Sequence, residues 1–427
     1  MDFLEKLIII LCIILVVPFT AGFYFIISQS LNVEPEFITA MFRKTSPVET
    51  IKQEKLPDAK NTFTEENNLS NPSDLIVLPK KLENPPSIIN AVYVTGWSAG
   101  SKSYLNYLTL LFKTTEINAV VIDIKNYSGL ISYNSGADEV KKYNLHDNAI
   151  PDINALIKFF HDQNIYVIGR ISVFEDPAYS KVRPDLAIYD KAQTIDPANP
   201  ASPEPSRRVL WLDNHKLSWL DPASKEVWDY NISLAKDAFL HGFDEMNFDY
   251  IRFPSDGKIE NMGFSHFDQK TPKHIVINNF FQYLRENLPN EKLSADLFGQ
   301  TTVSEDDMGV GQLLEDSFNS FDYISPMVYP SHYINGFIGF ENPADHPYEI
   351  IKYSMDSAVK RQSASKTISK FRPWIQDFNV GAYYDTEKVS LEIKALKDSL
   401  GENYNGFMLW NPSNKYTKEA ILKLTQE

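Results

Sequence analysis

Asp221-Pro222-Ala223-Ser224, then Val227 through Phe239, then Met246-Asn247-Phe248-Asp249-Tyr250-Ile251, is the stretch whose reading decides the fold. Asp221 is a good N-cap and Pro222 suits a first helical position, so a helix is predicted to begin there. Val227 to Phe239 is amphipathic, and Met246 to Ile251 is short, apolar and strand-like. A helix feeding directly into a strand of this kind is half of a β-α-β unit.

Working outward, the same alternation recurs. Strand candidates before it are Ala91-Val92-Tyr93-Val94, Ala119 to Ile124 and Tyr166 to Ile171. After it come Leu293 to Leu297, Tyr323 to Val328, Pro373-Trp374-Ile375-Gln376 and Gly406 to Trp410. Amphipathic stretches such as Tyr104 to Phe112, Ile153 to His161 and Ile275 to Leu288 separate them. Near-continuous apolar strands fit a parallel sheet covered on both faces. Eight such units close a barrel, whereas open doubly wound sheets more often stop at about five or six. The expected fold is therefore α/β, a (β/α)8 barrel over residues 88–427. The Pro-rich insert Asp176 to Ser218 is expected to form part of the rim over the face where barrel chemistry occurs.

The flank on the N-terminal side differs in character. Leu7 to Ile27 contains no charged side chain, and at about 1.5 Å per residue it would span a hydrocarbon core of roughly 30 Å. Apolar residues continue through Phe23 to Ile27, past the small residues Thr20-Ala21-Gly22, so an uncleaved transmembrane anchor over residues 1–28 is favoured over a cleaved signal peptide. Lys6 places the amino terminus inside and the barrel outside the cytoplasm, single-pass and membrane-anchored. Residues 29–87 are polar, rich in Pro, Asn, Glu and Lys, and read as a flexible stalk. The sole cysteine, Cys12, lies in the apolar run and follows Leu11, so neither disulfide, thiol nucleophile nor lipid attachment is expected. A net charge of −15 argues against nucleic acid as a partner, which would need a local excess of Lys and Arg.

In a barrel the reactive groups sit at the C-terminal ends of the strands. The polar residues there are Asp123 and Lys125, Arg170, Asn247 with Asp249 and Arg252, Asp296, Tyr329 with His332, Trp374 with Gln376 and Asp377, and Trp410. Side chains alternate along a strand, so Asp123 and Lys125 share a face, as do Asn247 and Asp249. Charges gathered at one end of a barrel are costly unless paired or used. Paired carboxylates are what glycoside hydrolysis requires. Asp249 and Asp296 fall on adjacent strands about 4.8 Å apart, which suits the close spacing of a retaining pair. The other residues are expected to contact a carbohydrate substrate, with Arg170 orienting Asp249 and the aromatic rings stacking on sugar faces. No cofactor and no metal are expected: the eight histidines are scattered and form no H-E-x-x-H motif.

Gly242-Phe243-Asp244-Glu245-Met246-Asn247-Phe248-Asp249-Tyr250-Ile251-Arg252-Phe253-Pro254 resembles the hallmark of a family of glycosyl hydrolase barrels related to the alpha-amylase-like group. Further similarity lies in Thr95-Gly96-Trp97, Val121 to Lys125, Trp219 to Pro222, Ser294 to Gly299 and Ser325 to Pro330, and it runs in order from Ala91 to Pro412. The resemblance implies a barrel acting on glycans with Asp249 as nucleophile. The amylase-like fifth strand supplies a Glu as acid/base, where this chain has Asp296, and the seventh-strand stabilising Asp would correspond to Asp377.

Three other readings compete with this one. A degenerate acid/base position would give a non-catalytic carbohydrate-binding barrel. Gly96-Trp97-Ser98-Ala99-Gly100 matches the G-x-S-x-G nucleophile elbow, but it follows the first strand and no Gly-rich oxyanion segment accompanies it. A metal-dependent deacetylase lacks a paired-ligand motif.

Overall fold

The structure, a computed structural model, describes residues 79–194 and 208–423. The expected anchor over residues 1–28 and most of the stalk lie outside the described residues, among which no helix is long and apolar enough to cross a membrane.

Eight parallel strands close a barrel. They are β1 (Ile89–Val94), β2 (Ala119–Lys125), β3 (Tyr166–Ser172), β4 (Glu245–Asp249), β5 (Lys292–Phe298), β6 (Tyr323–Met327), β7 (Trp374–Gln376) and β8 (Gly406–Trp410). Each pairs with its successor, and β8 returns to β1 with Ile89 opposite Gly406 and Val92 opposite Leu409. The seventh strand is interrupted: Lys370–Phe371 pairs with the start of β6, and after Pro373 the chain resumes at Trp374, opposite Met327. Proline lacks the N–H a ladder needs, which accounts for the break.

Two apolar layers hold the fold. Residues alternating inward along the strands, among them Ala91, Tyr93, Val121, Ile168, Trp374 and Met408, fill the barrel. Their neighbours Val92, Val120, Val167, Phe248 and Leu409 pack outward against the helices. At the N-terminal end the lumen is plugged by a fully buried ion pair, Glu245 with Arg372. Tyr166 donates to the Glu245 carboxylate at 3.2 Å, and the Arg372 guanidinium lies 4.0 Å from the Tyr323 ring. Access is therefore from the C-terminal end.

Two local expectations are corrected. The helix before β4 is Lys225–Leu240, with Ser224 at the N-cap position but no side-chain capping bond, and begins later than Asp221-Pro222 implied. Asp221 is used differently: its Oδ2 accepts the backbone N–H groups of Ser265, His266 and Phe267 at 3.1, 2.8 and 3.1 Å, tying down the loop after β4. Between β5 and β6 the chain forms a 3-10 turn, Gly299–Thr302, and a one-turn helix, Leu314–Ser317, instead of a full amphipathic segment.

The insert after β3 joins the same rim. Tyr189–Asp190 pairs antiparallel with Met262–Gly263 of the loop after β4, and Trp211 and Trp219 are buried beneath it. Rim and β4 loop thus form one packed layer beside Asp249.

Candidate active site

The carboxylates converge because strand alternation puts Asp123, Arg170, Asp249 and Asp296 inside the barrel at the ends of four consecutive strands. Arg170 is the centre. Its Nη1 donates to Asp123 Oδ1 at 2.6 Å and its Nη2 to Asp249 Oδ2 at 2.5 Å, while Nε lies 3.7 Å from Asp296 Oδ2. A guanidinium is a planar fork of donors, so one side chain can hold several carboxylates in fixed relation. The Tyr93 hydroxyl donates to the other Asp123 oxygen at 2.5 Å.

Asp249 and Asp296 have different surroundings. Both Asp249 oxygens meet donors: Arg170, and the Tyr250 backbone N–H at 2.6 Å. Tyr250 reaches this position with φ of +52°, a left-handed conformation that a bulky residue adopts only when its surroundings hold it there. Asp296 is fully buried. Its Oδ1 accepts from Asn247 Nδ2 at 2.7 Å and Trp374 Nε1 at 2.8 Å, whereas Oδ2 has no hydrogen-bond partner among the described residues. Burial, and next the Asp249 charge, push the Asp296 carboxyl well above the usual carboxylate range. A carboxylate held by two donors beside a buried carboxyl pushed towards its protonated form is an arrangement that acid and nucleophile pairs use.

Above them opens a cavity of about 430 Å³, lined by both carboxylates and by Arg170, Arg252, Tyr329, His332, Trp374 and Trp410. Trp410 stacks on Tyr93 with ring centroids 4.0 Å apart and stands edge-on to Trp374 at 5.5 Å. His332 packs edge-on against Tyr329 at 5.1 Å, and burial pushes its imidazole below the ordinary value, towards the neutral form.

Other expected contacts are placed elsewhere. Lys125 does not share the inward face with Asp123, because the β2–β3 register shifts between these two residues. It is fully buried in the sheet–helix layer, paired with Asp176 at 2.7 Å and Asn231 at 3.1 Å. Lys125→Met is accordingly expected to strand Asp176 and cost about 3–5 kcal/mol of stability, read by denaturant unfolding. Asp123 and Asn247 reach the cavity only through Arg170 and Asp296, and act as positioning residues. Gln376 accepts from Ser331 and donates to the Phe378 carbonyl. Asp377 accepts from the Thr417 hydroxyl and N–H at 2.6 and 2.7 Å, so it is spent on the C-terminal segment and not aimed at the cavity; burial pushes it up to about 6.

The structure adds residues that sequence reasoning missed. Tyr250, Phe298 and Tyr333 line the cavity. Tyr93 was legible in principle, as the inward residue two beyond Ala91. Glu175 was not, because it lies beyond the end of β3, where alternation no longer predicts direction. It is buried, its Oε1 has no partner among the described residues, and burial pushes it up to about 8. The hydroxyl of Ser98, of the elbow-like motif, accepts from the Thr95 hydroxyl at 3.0 Å, and its backbone N–H is capped by Thr95 Oγ1 at 3.2 Å; neither is a nucleophile–base pair.

Fold and site together define a class: a (β/α)8 barrel with a carboxylate pair and aromatic walls at the C-terminal mouth. The chain belongs to the family described as "Putative glycosyl hydrolase domain", which matches residues 91–416. No curated protein matches it significantly. Among solved structures, a hypothetical protein from Ruminiclostridium thermocellum is 38% identical, covering 51% of this chain and 98% of its own, with a TM-score of 0.42. Alpha-L-fucosidase isoenzyme 2 from Paenibacillus thiaminolyticus is 13% identical over 78% of this chain and 48% of its own, at 0.49. An alpha-galactosidase from Thermus thermophilus is 13% identical over 80% and 65%, at 0.43. The chain thus spans about half the length of the fucosidase and under two thirds of the galactosidase.

Proposed function

We propose that this chain is a retaining glycosidase in which Asp249 is the nucleophile and Asp296 the acid/base, acting on a glycan outside the cytoplasm. The observation that carries the reading is the placement of Asp249 and Asp296 on adjacent strands, in one cavity and on one guanidinium, with Asp249 on two donors and Asp296 buried with a free Oδ2. Asp296 protonates the glycosidic oxygen as the bond breaks, and Asp249 attacks the anomeric carbon. Water then attacks the anomeric carbon of the glycosyl–Asp249 ester and gives its proton to Asp296, so the sugar leaves with a new hydroxyl and Asp249 returns as a carboxylate. Trp374 and Trp410 offer apolar faces for the sugar ring. The uncharged run Leu7 to Ile27 supports a tether that holds the barrel near envelope or secreted polysaccharide.

The test is release of reducing ends from a panel of envelope and secreted glycans by the full-length chain, wild type beside Asp249→Asn. Release by the wild type alone supports the reading. No release, with glycan binding indifferent to the substitution, would leave a carbohydrate-binding barrel in its place. A second expectation concerns the acid. Asp296→Asn keeps the Trp374 and Asn247 contacts within reach but has no proton to give, so kcat on natural glycosides falls by roughly 10²–10⁴-fold. Aryl glycosides with acidic leaving groups need no such proton and lose far less in the glycosylation step. In the wild type, activity declines as pH rises through the raised pKa of Asp296, because the acid must begin protonated.

A further inference from the structure

We infer that Arg252 is an anion receptor, so that the sugar bound in the cavity is acidic, a hexuronate or a sulfated hexose, and not a neutral one. This rests on the cavity being a glycan site as proposed above, and it names the substrate class for that site.

Arg252 follows the strained Tyr250 and lines the cavity, yet it is only 8% exposed. Its guanidinium is bracketed by the rings of Phe298 at 4.5 Å, Trp219 at 4.9 Å and Tyr250 at 5.4 Å. Nη1 donates to the Phe253 carbonyl at 3.1 Å and the Ser255 hydroxyl at 3.3 Å. Nε and Nη2 have no recorded hydrogen-bond partner among the described residues, and no carboxylate there lies within ion-pair distance of the guanidinium. The other buried cations are committed: Arg170 to Asp123 and Asp249, Lys125 to Asp176, Arg372 to Glu245. A buried cation without a counter-charge is expensive, and aromatic faces offset only part of that cost.

None of the nearby acids forms an ion pair with it. Asp249 is taken by Arg170, burial pushes Glu175 up to about 8, and Asp256, which acts on Arg252 only at longer range, accepts from the Asn214 N–H. Burial pushes Arg252 itself below the ordinary guanidinium value, and the surrounding acids, none in ion-pair contact, do not offset it. An anionic oxygen pair presented to the free Nε and Nη2 edge would supply one, in the planar, two-point geometry that guanidinium favours.

The test is equilibrium binding to the full-length chain at low ionic strength, by ligand-observed NMR. Glucuronate and glucose 6-sulfate are each compared with glucose, and galacturonate with galactose. At least one acidic sugar is expected to bind roughly tenfold or more tightly than its neutral parent. Which acid wins tells carboxylate from sulfate. Arg252→Gln is expected to abolish the preference and Arg252→Lys to keep part of it, with thermal melting confirming that both are folded. Should the Gln variant not fold, loss of the wild-type preference on adding salt is the second readout. Equal binding of neutral sugars, no binding of any acidic one, or a preference that survives Arg252→Gln overturns the inference. Asp249-dependent hydrolysis confined to neutral glycans would discard this inference and keep the glycosidase. Acidic-sugar selectivity without any hydrolysis would do the reverse.

Discussion

Asp249→Asn is expected to lower glycoside turnover by on the order of 10⁴-fold or more while leaving the barrel folded. The amide is nearly isosteric, and its single oxygen can still accept from either Arg170 or the Tyr250 N–H, while its NH2 group faces the other donor. What disappears is the negative charge that attacks the anomeric carbon. Arg170 keeps Asp123 as a counter-charge, which limits the structural cost. KM on any substrate still turned over is expected to change far less than kcat, since the lost interaction belongs to the transition state. Ser98→Ala serves as the control, with unchanged activity, because its hydroxyl only meets Thr95.

Arg170→Met is the second large effect, on activity and on stability together. Asp123, Asp249 and Asp296 lose the cation they share, in a setting where each is buried. Removing one member of a buried charge cluster costs about 3–5 kcal/mol. The pH dependence has a definite sign. Burial already raises Asp123 and Asp296 in the wild type, and without Arg170 they are raised further. The variant's deficit therefore grows as pH climbs through and above those raised values and shrinks as pH falls below them. Denaturant unfolding of wild type and variant at several pH values measures both the size and the slope. A deficit independent of pH would mean that the loss is one of packing alone.

The fold was readable because its signals are periodic. Apolar runs such as Val120 to Ile124 and Phe407 to Leu409, separated by amphipathic helices, can bury both faces only in a parallel sheet. The carboxylate cluster was readable for a related reason: alternation from Asn247 and from Ser294 carries Asp249 and Asp296 to the same side. Where alternation fails, so does the reading. The register shift after Asp123 turns Lys125 into the helical layer. Asp377 lies just past the end of β7, and only the folded chain shows Thr417 beside it. Glu175 carries no pattern at all, since its burial depends on the long insert that follows it folding back to set Trp219 against it. The start of the helix before β4 was misplaced because Asp221 looks like a cap, but it serves three backbone donors of another loop.

The central claim is that Asp249 forms a covalent bond to the sugar. Peptide mapping by mass spectrometry, after the full-length chain has met a panel of 2-deoxy-2-fluoro glycosyl fluorides that includes hexuronyl members, tests it most directly. The expected result is a single glycosyl adduct on Asp249, absent from Asp249→Asn. An adduct on Asp296 or Glu175, or turnover of the fluoride with inverted product and no adduct, would contradict it.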